Sequence, residues 1–145
     1  MQWVIDASVA AKWLAPEADS ARAETLLDHE LVVPDLFFTE VTNILWKKQV
    51  RGEMHAAAAA VAARWLLQVP IQVHETAPFM TEALELSTRF GHPAYDCFYL
   101  ALARFVGSPM VTSDGRLFER LQRDDAVDFK PMVVSLTDVN ETSGR

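Results

Sequence analysis

Five short apolar runs alternate with longer stretches of helical periodicity: Trp3–Ile5, Leu31–Val33, Ile71–Val73, Met110–Thr112 and Met132–Ser135. The runs are continuous rather than alternating, the pattern of strands buried on both faces of a parallel sheet. Between them the spacing predicts helices over Ala7–Leu14, Glu17–His29, Leu36–Arg51, Met54–Gln68, Pro78–Phe90, Ala94–Val106 and Arg116–Arg123. Pro34, Pro70, Gly91-His92-Pro93, Gly107-Ser108-Pro109 and Pro131 punctuate the junctions. This order restricts the chain to an α/β class, a three-layer α/β/α domain around a central parallel sheet of about five strands. A length of 145 residues fits one domain. The domain is expected to span residues 1–139, with Asn140–Arg145 as a polar C-terminal tail.

Against this apolar framework four acids stand out. Asp6 ends the run Trp3-Val4-Ile5, and Asp114 follows Met110-Val111-Thr112 by one residue. Glu40 interrupts Leu36-Phe37-Phe38…Val41…Ile44-Leu45. Asp96 lies in Ala94–Val106, whose only other charged residue is Arg104. A carboxylate in such a setting is costly unless it finds donors or a cation. Open parallel sheets form their sites beyond the carboxyl ends of the strands. Asp6 and Asp114 both sit at strand-to-helix junctions of that kind.

Each acid also has a structural explanation. Asp6 and Asp114 are suitable N-caps, and Asp114-Gly115 is a turn dipeptide. Asp96 falls in the first turn after Pro93, where a helix dipole favours negative charge. Glu40 fits a solvated helix face, which Asn43 and Lys47 share at helical spacing. Taken together, four acids in apolar context point to a shared cation. Carboxylates without sulfur select hard ions, so Mg²⁺ or Mn²⁺ is expected, one or two ions. Such ions activate water and clamp the oxygens of an in-line phosphoryl displacement, which makes phosphodiester hydrolysis the best-suited chemistry.

Other chemistries fit poorly. His29, His55, His74 and His92 show no zinc-like pairing with each other or with Cys97. No glycine-rich phosphate loop is present, and Ser8 and Ser113 lack a nucleophile-elbow context. Cys97 and the four tryptophans read chiefly as packing residues. Half the residues are hydrophobic, yet no run is long enough to span a membrane. No secretory signal is evident and the single cysteine suits a reducing compartment, so a cytoplasmic protein is expected. The net charge of −7 weighs against general electrostatic capture of nucleic acid. Divalent ions held by the acids would offset part of it.

Four segments, taken in order, resemble the PIN-domain ribonucleases. They are Val4-Ile5-Asp6-Ala7-Ser8, Pro34…Thr39-Glu40-Val41…Asn43, Ala94-Tyr95-Asp96-Cys97…Leu100-Ala101 and Val111-Thr112-Ser113-Asp114…Leu117. Within that family they are most similar to the VapC-type toxins of toxin–antitoxin pairs. The resemblance covers essentially the whole chain. It implies a magnesium- or manganese-dependent endoribonuclease (a hydrolase), with tRNA or rRNA among its candidate substrates. Asp6, Glu40, Asp96 and Asp114 match the family's catalytic, metal-binding quartet. Ser8, Asn43 and Thr112 match polar residues that support it. A homodimer and a small inhibitory antitoxin protein are further expectations. The acidic pocket suits a basic side chain of such a partner. Two other functions compete: a catalytically silent PIN-like binding module, and a nuclease or phosphatase acting on DNA or small phosphate esters.

Overall fold

The computed structural model describes residues 1–139; the predicted tail, 140–145, lies outside them. Five strands form one sheet: β1 (Gln2–Ile5), β2 (Glu30–Pro34), β3 (Gln72–His74), β4 (Met110–Thr112) and β5 (Val133–Ser135). The order is β3-β2-β1-β4-β5 and every pairing is parallel. β1 is therefore central, as its sequence demands. Val4 and Ile5 are fully buried, and Val4 faces Val32 on one side and Met110 on the other.

Seven α-helices connect the strands among the described residues: α1 (Ala7–Leu14), α2 (Ser20–Thr25), α3 (Leu36–Val50), α4 (Ala56–Leu66), α5 (Met80–Phe90), α6 (Ala94–Val106) and α7 (Gly115–Leu121). α6 packs on β1, β2 and β4, which explains its composition. Cys97 and the consecutive run Tyr99-Leu100-Ala101-Leu102-Ala103 are buried, so α6 is enclosed on most of its sides. α5 ends at Gly91, whose φ of 60° is the left-handed conformation that glycine adopts without steric cost. Pro93 then sets the entry into α6.

Two sequence expectations need correction. β3 is not buried on both faces: Gln72 and Val73 are exposed, because β3 is an edge strand with one neighbour. Of the tryptophans, Trp3 and Trp13 pack against the core and Trp65 meets Trp13 edge-on, whereas Trp46 is 57% exposed. A smaller departure concerns the stretch Glu17–His29. Its α-helix starts only at Ser20 and tightens into a 3₁₀ turn over Leu26–Asp28.

The topology fixes where a site can form. From β1 the chain winds outward through β2 to β3, then returns to place β4 on the other side of β1. The order of strands reverses between β1 and β4, and the crevice beyond their carboxyl ends is the switch point. Asp6 follows β1 there and Thr112 closes β4.

Candidate metal centre

All four acids lie at this end of the sheet for reasons of chain direction. Asp6 opens α1 and Asp114 opens α7, each directly after a central strand. Glu40 lies near the start of α3, which leaves the carboxyl end of β2. α6 runs back towards the start of β4, so its first turn, with Asp96, belongs to the same end.

Asp6 is 4% exposed and its carboxylate is held from three directions. Ser8 Oγ and the Val9 amide donate to Oδ1, and Thr112 Oγ1 donates to Oδ2. Thr112 Oγ1 also accepts from the Asp114 amide at 2.9 Å, so one hydroxyl ties the two strand ends together. Asp114 in turn caps α7, accepting from the Arg116 amide at 3.0 Å. The capping and clustering roles thus coexist. N-cap geometry aims these carboxylates at the crevice while their remaining lone pairs stay free.

Glu40 accepts a hydrogen bond from the Tyr99 hydroxyl at 2.7 Å. Asp96 lies against His92, with Nε2 and Oδ2 2.5 Å apart. His92 is presented by the short connection between Gly91 and Pro93, and its backbone is pinned to Ser87. The His92, Asp96 and Asp114 donor atoms all lie within 4.8 Å of one another; Asp6 and Glu40, also expected as ligands, border this group and are not part of it among the described residues.

The electrostatics are those of crowded carboxylates. Burial pushes Asp6 up to about 6, against the lowering effect of its Ser8 and Thr112 donors, and Asp96 repels it further. Burial pushes Glu40 up to about 7, with Tyr99 opposing and Asp96 and Asp6 adding repulsion. Asp96 is raised by burial, opposed by His92, and raised further by Asp114. These mutual repulsions connect the four acids. Arg116 Nε approaches Asp114 at 3.9 Å, but that side chain is 89% exposed and compensates little. Two carboxylates and one imidazole within reach of one another, with Asp6 and Glu40 adding negative charge nearby, fit a divalent cation.

Asn43 shares the Glu40 helix face, but it is exposed and its side chain makes no hydrogen bond among the described residues. Two contacts were missed at the level of sequence. Tyr99 looks like one more packing residue of α6, and only the fold reveals its hydroxyl on Glu40. His92 has no zinc-like pairing partner in the sequence. Its signal was its place four residues before Asp96, across a proline. Cys97 is buried, with its thiol pushed up to about 12 by that burial, as expected of a core residue rather than a nucleophile.

Comparison with known proteins bears on the fold and the family. The PIN-domain family matches residues 3–124. "Ribonuclease VapC3" of Pyrobaculum aerophilum is 34% identical over 83% of this chain and 95% of its own length. "Ribonuclease VapC12" of Mycobacterium tuberculosis is 32% identical over 79% of this chain and 88% of its own. Among solved structures, PAE2754 of Pyrobaculum aerophilum superposes with a TM-score of 0.68 at 22% identity, covering 94% of this chain and 85% of that one. VapC20 of Mycobacterium tuberculosis, described as a sarcin–ricin-loop-cleaving toxin, gives 0.63 at 18% identity, covering 87% of this chain and 94% of that one. The fold and its crevice of carboxylates define a PIN-type α/β/α protein. The chain belongs to the PIN-domain family and, within it, to the VapC ribonucleases.

Proposed function

We propose that this protein is a divalent-metal-dependent endoribonuclease, the toxin of a toxin–antitoxin pair. Asp6, Glu40, Asp96 and Asp114 would hold Mg²⁺ or Mn²⁺, one or two ions. The observation that carries the reading is that four carboxylates from four helices stand at the carboxyl end of the sheet, with Asp96 and Asp114, beside His92, within 4.8 Å of one another. The kinship with ribonucleases supports RNA as the substrate.

When bound, such an ion lowers the pKa of water and neutralises charge on the scissile phosphate. The chain's own residues have other tasks. Ser8, the Val9 amide and Thr112 hold Asp6 in one orientation and leave one acceptor direction on Oδ2 unused. Thr112 also fixes the backbone from which Asp114 projects. Tyr99 keeps Glu40 turned towards α6, and His92 takes part of the charge on Asp96. These contacts pre-position a cluster that would otherwise spread by repulsion.

Asn43, beside Glu40, is proposed as a polar contact for incoming substrate rather than a brace for the quartet. Exposed Trp46, Trp65 and Phe105 leave apolar surface for a second copy of the chain and for the antitoxin. Among the described residues no helix is long and apolar enough to cross a membrane.

The test is sequencing of RNA ends in cells expressing the protein, with Asp6→Asn as control. Discrete new ends that appear with the unaltered protein and vanish with the variant are expected. Identical end profiles in the two would overturn the reading.

A further inference from the structure

A groove of about 310 Å³ opens beside the acidic centre, between α1 and α3. Ser8 and Ser113 line one end of it. Ser8 is the residue that donates to Asp6, and its hydroxyl also accepts from the Ser113 amide, so the groove runs directly into the carboxylate crevice. Its walls are of the opposite sign. Lys12, Lys47, Lys48 and Arg51 all line it, against a single carboxylate, Glu17. On a chain of net charge −7, this is a concentration of cations beside the acidic centre.

Glu17 occupies the groove in a specific way. Its two carboxylate oxygens are divided between two ammonium groups, Oε2 at 2.9 Å from Lys12 Nζ and Oε1 at 3.0 Å from Lys48 Nζ. The lysine side chains are only 13% and 14% exposed, so their ammonium groups are held by the walls rather than free in solvent. Two anionic oxygens spanning two fixed cations is also the arrangement of the non-bridging oxygens of a phosphodiester. Glu17 itself lies outside any helix, in the connection between α1 and α2, and can leave without unwinding an element. Lys47 and Arg51 have no ion-pair partner among the described residues and remain available along the same wall.

We propose that Lys12 and Lys48 form a subsite for a backbone phosphate of the RNA strand flanking the scissile bond, and that Glu17 occupies this subsite as a phosphate mimic in the free protein. Lys47 and Arg51 extend the track for the next phosphate. The strand must displace Glu17 to bind, so the carboxylate raises the threshold for weakly held RNA. This rests on the ribonuclease reading above and adds to it the residues that position the strand.

The test is steady-state cleavage of a short single-stranded RNA with Mn²⁺, across a series of salt concentrations. Thermal melts check that each variant is folded. Glu17→Gln should lower KM about fivefold with kcat unchanged, because a competing anion is removed. Lys12→Gln/Lys48→Gln should raise KM about tenfold and flatten the dependence of log(kcat/KM) on log salt by about 0.7, the loss of one single-strand phosphate contact. A Glu17→Gln variant with unchanged or raised KM overturns the proposal, whether or not the lysine variant folds. A folded lysine variant with an unchanged salt dependence overturns it too, and would assign the groove to something other than RNA. Absence of RNA cleavage by the unaltered protein would instead bring down the ribonuclease reading, and the subsite with it.

Discussion

The hydroxyl of Tyr99 on α6 donates to the carboxylate of Glu40 on α3 at 2.7 Å, joining two helices through residues 59 positions apart in the chain. Tyr99 has no exposed surface, and its hydroxyl is held well above its ordinary pKa by burial and by the adjacent Glu40. It is therefore a permanent donor. Tyr99→Phe should leave the fold intact and cost about 1 kcal/mol in stability, the loss of one hydrogen bond to a partly buried carboxylate. The Glu40 carboxyl should rise further, so the acidic limb of the cleavage–pH profile should move to higher pH. A profile identical to that of the unaltered protein would show that the contact does not govern Glu40.

Thr112→Val preserves shape and removes a hydroxyl that serves both Asp6 and Asp114. The variant leaves a buried acceptor and a backbone amide without their partner. A loss of about 2 kcal/mol in denaturant unfolding is expected. Activity should fall more than this destabilisation accounts for, because two acids lose their orientation at once.

The metal-free protein should lose stability as pH rises from about 4 to about 7. Asp6 at about 6 and Glu40 at about 7 sit above their ordinary values, so over this window the folded state holds more protons than the unfolded chain. Stability from these groups is complete below the unfolded-state values and is lost as pH climbs through the folded ones. Asp6→Asn should accordingly stabilise the chelated protein at pH 8, by on the order of 1–2 kcal/mol in denaturant unfolding, and have little effect at pH 4. Mn²⁺ should reverse the trend, stabilising the unaltered protein increasingly with pH. A melt indifferent to both pH and Mn²⁺ would contradict a shared cation site.

His92→Ala removes the imidazole that opposes the rise of Asp96. Calorimetric titration should then show Mn²⁺ affinity falling, about tenfold, and more steeply at pH 6 than at pH 8. Equal affinity at both pH values would make His92 a packing residue alone.

Most of the architecture was legible because its signals are local. Val4-Ile5 and Met110-Val111 read as buried strands without any knowledge of their neighbours. Asp6 and Asp114 could be placed at the carboxyl end of the sheet from strand direction alone. Contacts between distant segments were not legible. Nothing in α6 distinguishes Tyr99 from the other apolar-face residues until α3 is brought beside it. His92 sits outside any periodic pattern, between a glycine and a proline. The link from Glu17 to Lys48 spans 31 residues and two helices, so the cationic groove exists only in the fold. The exposure of β3 was missed for the same reason. A short apolar run does not report whether one neighbouring strand or two will cover it.

The most direct test of the account is cleavage of RNA by the purified protein in Mn²⁺, in chelator, and after Mn²⁺ is restored, alongside Asp6→Asn and Asp96→Asn variants that melt normally. The account predicts cleavage that stops on chelation, returns with the ion, and is absent from both folded variants. Cleavage that persists in chelator, or in either variant at the rate of the unaltered protein, would contradict it.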